Sequence, residues 1–127
     1  MSENNLKKIL IAEDEIMYSK PLSLKLQNTG FDVKIAINGE EALNFIKGEH
    51  FDLLLSDIVM PKMTGFELLE EIQKQDLKIP AIVLSNLGQA EDEKRARLLG
   101  VKEFLIKSNV SLVDVVNKVK SFLNQNT

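Results

Sequence analysis

Three uninterrupted apolar runs divide the chain: Ile9-Leu10-Ile11-Ala12, Leu53-Leu54-Leu55 and Ala81-Ile82-Val83-Leu84. Successive side chains of a strand point to opposite faces, so an unbroken apolar run marks a strand covered on both sides. Strands are therefore predicted at Lys8–Ala12, from Leu53 to a stop at Ser56-Asp57, and over 81–84. A further strand follows at 101–107, with Phe104, Leu105 and Ile106 at its heart. Phe31-Asp32-Val33-Lys34-Ile35-Ala36 instead alternates apolar and polar, which is the pattern of an edge strand.

The segments between these runs read as helices. After Asn38-Gly39, a helix over 40–47 turns Ala42, Leu43 and Ile46 inward, with Phe45 at the edge of that stripe and Gly48 as its stop. Thr64 can cap a helix that begins near Gly65 and runs to Gln75, burying Phe66, Leu68, Leu69 and Ile72. A helix over 111–123 carries Leu112, Val115, Val116, Val119 and Phe122 on its inner face, and a polar tail follows over 124–127. Two helices fit less well. Over 16–28 the apolar positions Leu22, Leu24 and Leu26 lack a helical period, and Pro21 breaks the pattern. Proline inside a helix loses a hydrogen bond and clashes with the turn before it, at about 3 kcal/mol, so a late start or an irregular first turn is expected. Over 90–99 the helix is heavily charged and rests on Ala96, Leu98 and Leu99 alone, which marks it as the most mobile element. Five strands alternate with five helices through short connections. Right-handed crossovers then give a parallel sheet between helical layers, a doubly wound three-layer α/β sandwich, though its strand order stays open at this stage.

Composition narrows the class. A chain of 127 residues with 44% hydrophobic content suits one globular domain, here 1–127 with a core over about 8–123. No second domain is expected after the last helix, hence no DNA-binding or catalytic output module. Without cysteine there is neither a disulfide nor a thiolate metal site. No apolar run approaches membrane length and Met1–Asn5 is no signal peptide, so a cytoplasmic location and no membrane contact are expected. A net charge of −3 argues against a broad nucleic-acid surface.

Candidate chemistry lies at the strand ends, where open α/β sheets hold their ligands. Glu13-Asp14-Glu15 follow the first strand, Asp57 the third, Ser85 the fourth and Lys107 the last. Each has an ordinary reading by itself: acids at a helix start, an aspartate or serine in a turn, a solvated lysine. Converging acids change that. One like-charge pair at about 4 Å costs on the order of 4 kcal/mol at an effective dielectric of 20. Carboxylates gathered this way suit a hard cation such as Mg²⁺, which accepts few protein ligands and keeps several waters. His50, the only histidine, sits on a polar loop and reads as a solvent residue, so no Ser-His-Asp arrangement is available.

Asp57-Ile58-Val59-Met60-Pro61 with Gly65 following resembles the phosphoacceptor motif of the receiver domain of two-component response regulators. Glu13-Asp14, Ser85 and Lys107 stand at the ends of other strands in the order that family requires, and the resemblance runs from about Lys8 to about Leu123. It implies strand order 2-1-3-4-5, the flavodoxin-like arrangement. It implies that Asp57 takes a phosphoryl group from a histidine kinase or histidine phosphotransfer protein. Mg²⁺ (or Mn²⁺) would be held by Asp14, Asp57 and the backbone carbonyl of Val59, with Glu13 acting directly or through a water. Lys107 and Ser85 would bind phosphoryl oxygens. Phe104 matches the switch aromatic, which turns as Ser85 moves and alters the surface of the fourth helix, fifth strand and fifth helix for a downstream protein. Val59 and Leu87 would flank the hydrolytic water. Such a protein is a signalling phosphoacceptor rather than an enzyme, and a monomer or a weak phosphorylation-dependent dimer. Two other readings are an interaction module that works without phosphorylation and a phosphatase with an aspartate nucleophile. The second usually wants an acid where Val59 stands.

Two positions depart from the family pattern. Ser108 stands where receivers have a proline in a cis peptide; a cis bond before serine costs about 2.5–4 kcal/mol, so a trans bond and a shifted loop are expected. Asn86 replaces the small residue usual after the switch hydroxyl, which bears on donor access and on the Ser85 movement.

Overall fold

The computed structural model describes residues 6–124. Strands and helices alternate as β1 Lys8–Ala12, α1 Ile16–Thr29, β2 Asp32–Ala36, α2 Gly39–Gly48, β3 Leu53–Ser56, α3 Gly65–Lys74, β4 Ala81–Ser85, α4 Ala90–Leu98, β5 Glu103–Ile106 and α5 Leu112–Asn124, with one 3-10 turn at Lys107–Asn109. All four strand pairings are parallel, and the order is β2-β1-β3-β4-β5. The alternating β2 is an edge strand, and the apolar β1, β3 and β4 fill the middle.

The pleat sorts the core into two layers. Leu10, Leu54, Val83 and Phe104 face Leu43, Phe66, Leu68 and Ala96 on the α2–α3–α4 side. Ile9, Ile11, Leu53, Leu55, Ile82 and Leu84 face Leu22, Leu26, Val115, Val116 and Val119 on the α1–α5 side. Fully burying one such side chain is worth about 1.5–3 kcal/mol, so these two layers hold the strand ends in a fixed frame. Among the described residues no helix is long and apolar enough to cross a membrane. The polar tail beyond Asn124 and the segment Met1–Asn5 lie outside the described residues.

Several local expectations change. The first helix starts at Ile16 without delay, and Pro21 lies inside it. Pro21 is on the exposed side, one turn after Met17, which is 91% exposed. The Met17 carbonyl that loses its helical donor therefore faces water. The buried stripe of this helix is Ser19, Leu22, Ser23 and Leu26, while Leu24 points outward. Serines at two inner positions explain why the apolar residues alone show no helical period. On α4, Leu98 is exposed and Ala96 is the one buried residue, so the apolar face is thinner than its sequence suggests. On α5, Leu123 rather than Phe122 completes the buried stripe. The last strand is shorter than 101–107, and Lys107 opens the 3-10 turn.

No peptide bond among the described residues is cis, so Lys107–Ser108 is trans. The two departures from the family pattern meet here. The Asn86 side-chain carbonyl accepts the Ser108 N–H at 3.2 Å. A proline at 108 has no N–H to donate, so the asparagine and the serine suit each other.

Candidate functional site

Register brings the strand ends together. Ala12 pairs with Ser56, Ser56 with Val83, and Ser85 with Ile106. The next residues, Glu13, Asp57 and Lys107, therefore leave the sheet at one rim. Backbone bonds fix two of them: Glu13 N–H donates to Ala36 O and Asp57 N–H to Ala12 O, both at 2.9 Å. The loop after Asp57 is pinned by Gly65, whose N–H donates to Ile58 O at 2.7 Å. A Cβ at 65 would run into the Asp57 backbone carbonyl, so the approach requires glycine. Thr64 then starts α3 with a reciprocal capping box to Glu67.

Asp57 is only 8% exposed. Its Oδ1 accepts the Ile58 N–H at 2.7 Å and its Oδ2 accepts from Lys107 Nζ at 3.1 Å. The same ammonium lies 2.5 Å from Glu13 and 3.4 Å from Glu15. Glu13 is buried and also accepts the Glu15 N–H at 3.0 Å. Burial pushes the Glu13 carboxyl pKa up, against the lowering effect of its hydrogen bonds to Lys107 and to the Glu15 N–H. Burial pulls Lys107 down, but the hydrogen bond to Glu13 and the charges of Asp57 and Glu13 outweigh it and carry its pKa well above that of an ordinary lysine. Burial thus dominates at Glu13, whereas the two buried carboxylates around one ammonium dominate at Lys107. We regard Lys107 as the fixed charge of the site.

Glu13, Asp14 and Asp57 each offer a carboxylate oxygen within 4.8 Å of the others, the one such grouping among the described residues. An all-oxygen set of this kind fits Mg²⁺. Lys107 engages both Glu13 and Asp57, but of the three acids only Asp14 and Asp57 open onto the neighbouring cleft, so they are the more available pair.

An open cleft of about 300 Å³ lies over Asp57. Asp14, Asp57, Ser85, Lys107, Val59 and Leu87 all line it, together with Glu15 and Asn86. Glu13 is buried and is not part of the cleft wall. Phe104 is likewise absent from the wall; its ring is buried on the α4 side, in register with Val83. Ser85 is buried and its Oγ accepts the Leu87 N–H at 3.2 Å, which leaves its own O–H free to donate. Two further groups meet Lys107 here, and sequence reasoning missed the second. Glu15 is a third carboxylate on Lys107, and the Tyr18 ring lies under the ammonium, 4.5 Å from Nζ to the ring centre. Tyr18 lies in the first turn of α1, just after the Glu15 cap, and no polar signal in the sequence marks its ring as a partner of Lys107.

Comparison with known proteins agrees with this arrangement. The family model described as "Response regulator receiver domain" matches residues 9–120. A probable transcriptional regulator, ycf27, of Cyanophora paradoxa is 37% identical over 105 residues, which is 83% of this chain and 44% of that protein. The chain spans less than half the length of the first curated relatives it matches. Among solved structures, the receiver domain of Francisella response regulator 1452 superposes with a TM-score of 0.88 at 27% identity, covering 95% of this chain and 99% of that one. A CheY-like response regulator receiver domain protein from Methanospirillum hungatei JF-1 does so with a TM-score of 0.88 at 30% identity, covering 95% and 96%. A family match across nearly the whole sheet, with Asp57, Ser85 and Lys107 gathered at its carboxyl rim, makes this chain a member of the response regulator receiver domain family.

Proposed function

We propose that Asp57 is the phosphoacceptor of a signalling switch served by a histidine kinase or histidine phosphotransfer protein. One observation carries the reading: a nearly buried carboxylate touches a fixed ammonium at 3.1 Å and lines a cleft shared with Asp14 and Ser85. An Asp57 oxygen attacks the phosphorus of a phosphohistidine. The phosphorus–nitrogen bond breaks, its electron pair goes to the imidazole, and an acyl phosphate forms on Asp57. Positioning and charge neutralisation do most of the work in such a transfer. Lys107 supplies a charge already protonated and in place, and the Ser85 O–H is available to a second phosphoryl oxygen. Asp14 and Asp57, with Glu13 and the Val59 carbonyl, would hold Mg²⁺ or Mn²⁺, which when bound adds positive charge beside the transferred group.

The output follows from packing. Ala96 is the only buried residue of α4, so shifting that helix gives up little buried surface. Ser85 moving toward the phosphoryl group opens room at the level of Phe104, and the α4–β5–α5 face presented to a downstream protein changes by population shift. In this reading the chain is a cytoplasmic phosphoacceptor, not a turnover enzyme, and is a monomer or a weak phosphorylation-dependent dimer.

Incubation with acetyl phosphate, followed by intact mass, tests the reading. One added phosphoryl group in Mg²⁺ and none in chelator is the expected result. No gain in Mg²⁺ would favour a module that works without phosphorylation. Repeated release of phosphate from small esters would favour a phosphatase.

A further inference from the structure

The Lys107 ammonium has three N–H groups, and three carboxylates surround it: Glu13, Asp57 and Glu15. Its fourth neighbour is the face of Tyr18, 4.5 Å from Nζ to the ring centre. A cation within about 6 Å of a ring centre is attracted by the negative face of the ring, most strongly where water is excluded. The Lys107 side chain is 6% exposed, so water is largely excluded here. The first turn of α1 sets the ring: Tyr18 N–H and Ser19 N–H both donate to Glu15 O, and the ring packs against the α1–α5 core layer. The phenolic oxygen is buried and has no hydrogen-bond partner among the described residues. The part of Tyr18 that acts on Lys107 is thus its ring face, not its hydroxyl.

We propose that Tyr18 is a positioning residue that holds the Lys107 ammonium over the cleft and toward Asp57. This rests on the proposed phosphoacceptor reading, in which Lys107 contacts the phosphoryl group. Glu13 makes the shortest contact with Lys107, 2.5 Å against 3.1 Å to Asp57, and Glu15 competes at 3.4 Å. With the ring removed, the ammonium is free to settle onto those two acids and to take up water. Once Asp57 carries a phosphoryl group, its carboxylate charge toward Lys107 is reduced and the ammonium must reach a phosphoryl oxygen. An unmoving aromatic floor keeps it on that side of the site throughout.

The test is a cycle of four proteins: wild type, Tyr18→Leu, Lys107→Met and the double variant, with Tyr18→Phe beside them. Labelling by acetyl phosphate in Mg²⁺ is followed by intact mass, and unfolding midpoints are recorded for each. Tyr18→Leu is expected to slow labelling by about threefold to thirtyfold. Tyr18→Phe, which keeps the ring face, is expected to restore the rate. In the Lys107→Met background the leucine substitution is expected to cost nothing further. Equal slowing by leucine in both backgrounds, or full-rate labelling of Tyr18→Leu, would overturn the positioning role while leaving the acceptor reading intact. Absence of labelling in wild type would instead overturn the acceptor reading, and the positioning role with it. Should Tyr18→Leu not fold, Tyr18→Met takes its place in the cycle with the same expectations.

Tyr18 is also the only tyrosine of a chain without tryptophan, so its emission reports on Lys107 without any label. Lys107→Met is expected to change that emission in the absence of any donor. An unchanged spectrum would contradict the ring contact.

Discussion

Lys107→Met is expected to slow the labelling of Asp57 by about a hundredfold or more. Removing one positioned donor from a site of developing negative charge commonly costs about 10²–10³ in rate. Lys107 is such a donor, with Nζ 3.1 Å from the Asp57 carboxylate and its side chain only 6% exposed. The substitution also strands Glu13 and Asp57, which are 3% and 8% exposed. Leaving a buried charge unpaired typically costs about 3–5 kcal/mol, and the loss here is expected to be smaller because a Glu13 carboxyl already pushed up by burial can take a proton. Labelling kinetics and unfolding midpoints of the same samples read both effects. Lys107→Arg should keep most of the stability and little of the rate, since a planar guanidinium cannot occupy the place of a compact ammonium. A methionine variant that labels at the wild-type rate would remove Lys107 from the site.

The second large effect concerns how long the phosphoryl group stays. Hydrolysis needs a water in line with the Asp57–phosphorus bond, and Val59 and Leu87 both line the cleft where that water would stand. Val59 is 60% exposed and Leu87 36%, so neither seals the cleft. Protection would come instead from their chemistry, since neither side chain can donate or accept a hydrogen bond to orient the water. A positioned acid or base contributes about 10²–10⁴-fold, and an orienting side chain should reach at most the lower end. Val59→Asn with Leu87→Glu is therefore expected to shorten the phosphoprotein lifetime by up to about a hundredfold, the pair more than either alone. Decay of the phosphoprotein in Mg²⁺ after donor removal is the measurement. A wild-type lifetime no longer than that of the double variant would show that the two apolar residues do not protect the bond.

Much of this architecture was legible because each central strand ends where its apolar run ends. In Leu53-Leu54-Leu55-Ser56-Asp57 the change of polarity and the end of the sheet coincide, and parallel topology then carries Asp57, Ser85 and Lys107 to one rim. What stayed hidden depends on packing in three dimensions. Ser19 and Ser23 point inward on α1, which no apolar pattern reveals. Glu13 and Asp14 are neighbours in sequence, yet one is buried against Lys107 and the other exposed. Asn86 and Ser108 read as two separate departures until their hydrogen bond is seen across 22 residues. Tyr18 carries no polar signal, because its ring face is what meets Lys107.

The central claim is that Asp57 alone accepts the phosphoryl group. Asp57→Asn keeps the shape of the side chain and removes the charge that attacks phosphorus. Wild type and variant, treated side by side with acetyl phosphate and Mg²⁺, should differ by one phosphoryl mass, gained by the wild type and absent from the variant. Undiminished labelling of Asp57→Asn would contradict the account.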